Sequence, residues 1–298
     1  MTNVASTVSL RGKLLQREPM SKHTSWRVGG PADYFYVPAD IEDLALFLKT
    51  LPPQQAIYWV GLGSNLLVRD GGLRGTVIAT SGALSDLRKI GDTEVRVEVG
   101  VASAKVARFT VEQGLSGAQF FCGIPGTIGG ALAMNAGAFG GETWDIVDTV
   151  ETIDRHGQLR MRERADYLIG YRRVEGPAHE WFVAAHLHLR KGDVVDGKAR
   201  IRSLLARRGQ TQPTQMANAG SVFKNPPGDY AARLIEASGL KGACEGGACV
   251  SELHANFVIN RGNATAANIE HLIERVREHV QRVQSVTLEL EVRIVGEP

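Results

Sequence analysis

The sequence predicts an α+β fold on three observations. Strand and helix periodicities alternate along the chain. Hydrophobic residues make up 43% and charged residues 22%, the composition of an ordinary globular protein with enough apolar material for a core. Glycine is enriched, 34 among 298 residues, and it gathers in two segments. A chain of this length suggests two domains or three small ones.

The elements follow in order. Asp40 is a candidate N-cap for a helix with the face Ile41, Leu44, Ala45 and Leu48, ended by Pro52-Pro53. Ile57–Val60 reads as a short strand and Val95–Val99 as a strictly alternating one. Ala102–Gln113 is a predicted helix stopped by Gly114. Val147–Asp154 and Gln158–Met161 flank Arg155-His156-Gly157 as a hairpin, and Trp181–Arg190 is a further strand. Val194–Arg208 is an arginine-rich helix, and a polar break covers Gly209–Asn218. Beyond it lie a helix at Tyr230–Ser238 stopped by Gly239, a strand at Phe257–Ile259 and a long helix at Thr265–Val283. The final strand alternates Val286, Leu288, Leu290, Val292 and Ile294 with Thr287, Glu289, Glu291 and Arg293, so one face packs and the other carries charge. A boundary is expected near residues 190–200.

The 34 basic and 32 acidic residues leave a net charge of +2, too balanced to imply nucleic acid or an anionic membrane as partner. No stretch reaches the ~20 apolar residues of a membrane span. The opening MTNVASTVSLRGKLLQ lacks an apolar core before a small-residue cleavage site, so no signal peptide is expected. Three cysteines, Cys122, Cys244 and Cys249, argue against a disulfide framework and for a reducing cytoplasm. Cys244, Cys249 and His254 match no common zinc spacing, so no metal is expected and the thiols read as buried or idle.

The first glycine segment, Gly61-Leu62-Gly63-Ser64-Asn65-Leu66, follows a strand. Its backbone N–H groups and the Ser64 and Asn65 side chains suit a phosphate. It is neither a Walker loop nor a Rossmann fingerprint, and an ordinary tight turn would look similar. The second runs Gly123-Ile124-Pro125-Gly126-Thr127-Ile128-Gly129-Gly130, then Asn135-Ala136-Gly137. Its small, uncharged residues suit backbone lying on a flat ring system and a pyrophosphate, or close packing of a helix on a sheet.

Together the two segments resemble the FAD-binding signature of the UDP-N-acetylenolpyruvoylglucosamine reductase family (UDP-N-acetylmuramate dehydrogenases), within the superfamily of vanillyl-alcohol oxidase and p-cresol methylhydroxylase. Thr24–Asp33, which contains Arg27, is similar to the family's N-terminal motif. Tyr171-Arg172, Gly220-Ser221-Val222-Phe223-Lys224-Asn225-Pro226 and Glu291-Val292-Arg293 complete a resemblance over residues 20–296. It implies two FAD-binding subdomains, 1–80 and 81–195, and an α+β substrate-binding domain, 196–298. It also implies non-covalent FAD, NADPH as hydride donor, and reduction of UDP-N-acetylglucosamine enolpyruvate to UDP-N-acetylmuramate for peptidoglycan synthesis. A cytoplasmic monomer is expected.

The resemblance gives each motif residue a task. Hydride relayed by FAD adds to the enol ether's methylene carbon, and negative charge spreads into the neighbouring carboxylate. Arg172 and a protonated Glu291 would stabilise that charge. Ser221 would protonate the adjacent carbon, with Lys224 a plausible helper. Periodicity alone does not separate Glu291 from Glu289. Tyr171, Lys224, Asn225 and His254 match substrate-holding positions, and Lys and Asn suit a diphosphate and its hydroxyls.

Two departures stand out. Val174 replaces a common serine, and Leu253 a common lysine. The short interval between Arg172 and Ser221 resembles the family branch without a tyrosine-bearing insertion. The alternatives are another FAD oxidoreductase of the superfamily, an alcohol or hydroxy-acid oxidase, and a non-catalytic nucleotide-binding protein.

Overall fold

The computed structural model describes residues 9–298. The start of the opening stretch, read above for a signal peptide, lies outside the described residues. Helices are α1 Ile41–Thr50, α2 Ser103–Glu112, α3 Ile128–Met134, α4 Val194–Thr211, α5 Ala231–Ala237 and α6 Ala266–Gln284. Asp40 caps α1 as expected, its carboxylate accepting the Asp43 N–H at 2.9 Å. Thr265 caps α6 with a reciprocal Asn268 contact. Among the described residues no helix is long and apolar enough to cross a membrane.

A first sheet is ordered Lys13–Pro19, Pro31–Val37, Leu73–Ala79, Ile57–Val60. Its outer pair is antiparallel and the other pairings are parallel. A second, wholly antiparallel sheet is ordered Leu159–Glu163, Val147–Asp154, Glu180–His188, Glu94–Glu98, Leu87–Lys89. A small sheet of Ala217–Asn218, Val258–Asn260, Ala248–Val250 and Cys244–Glu245 carries α6. The α6 stripe Ile269, Leu272, Ile273, Val276 and Val280 is buried, so its period-3.6 pattern faces a core as expected.

Helix α4 packs Ile201 and Leu204 into the core that holds Val106, Phe121 and Val150. Two expectations are corrected. The final strand is only Arg293–Val295, paired in parallel with Leu66–Val68. Residues 286–292 keep alternate burial but are tied to the Ser221 segment through the Phe223–Leu290 bridge. Finally, Cys244 and Cys249 are not idle thiols. The turn at Gly246-Gly247 sets them directly opposite each other, Cα atoms 4.1 Å apart, and they form a disulfide, while Cys122 is free and buried.

Candidate active site

The two glycine segments meet. A Cβ on Gly61 would lie 2.3 Å from the Thr127 hydroxyl, and one on Gly126 would lie 3.0 Å from Ser64 Oγ. Gly63 has φ +59 and abuts the backbone of His23 and Thr24, which brings the Thr24–Asp33 motif against the loop. Trp26 of that motif is fully buried and donates its indole N–H to Val258 O at 2.7 Å, while Arg27 is exposed with φ 59. Gly123 leaves room for the ring of Phe139, and Gly129 packs on Val99. Gly130 faces open space. Close packing and ligand-facing backbone therefore coexist in the second segment.

A cavity of about 480 Å³ opens beside this junction. Gly61, Leu66, Gly129 and Gly130 line one side, and Tyr58, Trp59, Trp181 and Phe182 line others. Trp59 and Trp181 stack at 5.4 Å. The Thr127 hydroxyl, at the start of α3, is buried with no hydrogen-bond partner. An orphaned buried donor, an unfilled glycine face and an aromatic wall together fit a flat, phosphate-bearing cofactor such as FAD. Val174 also lines this cavity, whereas Leu253 is half exposed.

Next to the junction lies a charged cluster. Arg172 sits in the two-residue turn between Leu168–Gly170 and Arg173–Glu175 with φ 53. Its Nε donates to Glu291 Oε1 at 3.0 Å. Its Nη1 donates to Asn135 O at 3.2 Å and its Nη2 to Gly137 O at 3.1 Å. The guanidinium also lies 4.9 Å from the centre of the exposed Tyr171 ring. Burial pushes the Glu291 carboxyl above its ordinary value, against the pull of Arg172 and Lys224. Glu289, its rival in the sequence, is 77% exposed and reaches Lys224 at 3.5 Å, whereas the Glu291 side chain is 12% exposed.

Backbone bonds bring the remaining residues in. Glu291 N–H donates to Val222 O at 2.8 Å, one residue from Ser221. Asn256, missed in the sequence, clamps the same segment: its amide accepts from Phe223 N–H at 3.0 Å and donates to Phe223 O at 2.8 Å. The signal was its place in Leu253–Phe257 beside His254. Burial holds the His254 imidazole below its usual value, and its Nδ1 accepts the Asn256 N–H at 3.3 Å. Two expected ligand-binding amides are partly committed within the protein. Asn65 donates to Glu291 O at 2.9 Å, and Asn225 Oδ1 accepts from Ala231 N–H at 3.1 Å, capping α5.

The arrangement thus joins a cofactor-shaped cleft to a buried acid, a guanidinium and a hydroxyl-bearing turn. Residues 32–161 match the family model described as an FAD binding domain, and residues 212–295 match UDP-N-acetylenolpyruvoylglucosamine reductase, C-terminal domain. A UDP-N-acetylenolpyruvoylglucosamine reductase of Alkalilimnicola ehrlichii is 59% identical over 286 residues, covering 96% of each chain. That of Methylococcus capsulatus is 57% identical, over 96% of this chain and 94% of the relative. The crystal structure of the Thermus caldophilus UDP-N-acetylenolpyruvylglucosamine reductase superposes with a TM-score of 0.81 at 30% identity, covering 96% of this chain and 99% of that one.

Proposed function

From its membership of the UDP-N-acetylenolpyruvoylglucosamine reductase family, which the chain belongs to, we propose that this FAD-dependent enzyme converts UDP-N-acetylglucosamine enolpyruvate to UDP-N-acetylmuramate with NADPH. The observation that carries the reading is the meeting of Arg172, Glu291 and the Ser221 turn beside the two glycine segments. Gly61–Leu66 and Gly123–Gly130 would hold FAD, with Thr127 as a free donor. Bound there, FAD supplies the two-electron relay between NADPH and the sugar nucleotide.

The chain's own residues do the rest. As the methylene carbon gains its hydrogen, negative charge grows on the substrate's carboxylate. The Arg172 guanidinium spends three N–H groups on protein acceptors and keeps two for that charge. Glu291, protonated, donates rather than repels. Ser221 hands its hydroxyl proton to the neighbouring carbon, and the new C–H bond completes the reduction. Tyr171, Lys224, Asn225 and His254 hold the sugar nucleotide, Asn225 through its free NH₂. The reaction belongs to peptidoglycan precursor synthesis in the cytoplasm, and the working unit is a monomer.

The test is a bleach-and-recover cycle. Anaerobic NADPH should bleach the yellow protein, and the enolpyruvyl sugar nucleotide should restore the colour. A protein that takes up no flavin, or stays bleached with that substrate, overturns the proposal.

A further inference from the structure

We infer that Asn135 is the positioning residue of Arg172. Asn135 is 1% exposed and closes α3 with φ 46, a left-handed conformation that asparagine tolerates better than most residues. Its Nδ2 donates to Glu142 Oε2 at 2.8 Å and to Gly170 O at 3.1 Å, and its Oδ1 accepts from Trp144 N–H at 3.1 Å. Both amide hydrogens are used inside the protein, so the side-chain amide has none left for a ligand.

The same residue grips Arg172 twice. Its own carbonyl accepts from the guanidinium, and its side chain holds Gly170, two residues before Arg172. The turn after Asn135 alternates its carbonyls. Those of Asn135 and Gly137 face Arg172, while that of Ala136 accepts from the Thr143 hydroxyl at 2.7 Å. Arg172 itself occupies a left-handed backbone, which surrounding contacts must maintain. Asn135 therefore fixes both the main chain and the head group of the cation, without reaching substrate.

The inference rests on Arg172 acting on the substrate as proposed above, and the experiment separates the two. Arg172→Ala should slow recovery of the bleached flavoprotein by the enolpyruvyl sugar nucleotide. If it does not, that reading and this inference both fall. Asn135→Gly keeps the left-handed backbone and the carbonyl but removes the amide. It should slow recovery about 10- to 100-fold, as small misplacements of reacting groups do, and leave bleaching by NADPH within about twofold. Its pH profile should move to higher pH, because a loosened Arg172 no longer holds Glu291 down. In an Arg172→Ala background the Asn135→Gly effect should vanish. Should Asn135→Gly fail to fold, Glu142→Ala removes one acceptor of the same amide and is read in the same way. With Arg172→Ala impaired, a variant that recovers at the wild-type rate, slows both steps equally, or adds in full to Arg172→Ala overturns the inference.

Discussion

Arg172 Nε and Glu291 Oε1 lie 3.0 Å apart across 119 positions of sequence, with both side chains largely buried. The pair is asymmetric in consequence. Burial acts on the carboxyl more strongly than the neighbouring cations do, so Glu291 keeps its proton further up the pH scale than an ordinary glutamate. While it keeps that proton, the carboxyl adds a donor beside the guanidinium, which suits an anion forming on a substrate.

Recovery of the bleached protein should therefore weaken as pH rises through the elevated Glu291 value. Glu291→Gln, a permanent neutral donor, should remove that limb. Stopped-flow recovery rates across pH test this, and an unchanged limb in Glu291→Gln would assign it elsewhere.

Ser221→Ala should lose about 10²- to 10⁴-fold in the substrate step, the usual range for a positioned proton donor. Reduction of the flavin by NADPH should be nearly intact. Separate single-turnover measurements of the two half-reactions check the split.

Glu151 makes a bidentate pair with Arg96, at 2.6 and 2.8 Å, and a 2.9 Å contact with His186. The Arg96 bonds, then those of His186, pull its carboxyl below the usual range despite burial. A lowered carboxyl contributes stability above its unfolded value and loses it as pH falls through the folded one. Glu151→Gln should cost about 2 kcal/mol at neutral pH, less than for a fully buried pair because both side chains stay partly wet. The difference should shrink in acid melts.

Reducing the Cys244–Cys249 bond opens only a short hairpin. The loop-entropy estimate for so small a ring is at most about 2 kcal/mol. Dithiothreitol, or Cys244→Ala with Cys249→Ala, should lower the melting temperature by a few degrees while leaving turnover unchanged.

Local rules carried much of the fold. Asp40, Thr265 and Gly239 mark helix ends through their own caps and turns, and the strand Val147–Asp154 is readable from apolar spacing alone. Helix α3 was legible only as one of two readings of the second glycine segment, because Gly129 and Gly130 oppose helix formation and its contacts with Val99 and Trp144 lie outside the segment. The site residues were legible as motifs but not as a geometry. Periodicity left Glu289 and Glu291 equal, and only the fold buries one and exposes the other. Asn135 was visible as part of a glycine-rich run, yet its grip on Gly170 depends on a contact 35 positions away. The cysteines read as idle thiols because nothing in their spacing announces the two-residue turn that sets Cys244 opposite Cys249.

The pairing of Arg293–Val295 with Leu66–Val68 makes the order of synthesis matter. Arg69 reaches Gly296 across 227 positions, so the strand after the first glycine segment is braced by residues that leave the ribosome long after it does. Until they arrive, Leu66–Val68 is an open edge on a nascent polypeptide, a stage at which unpaired strands invite wrong partners.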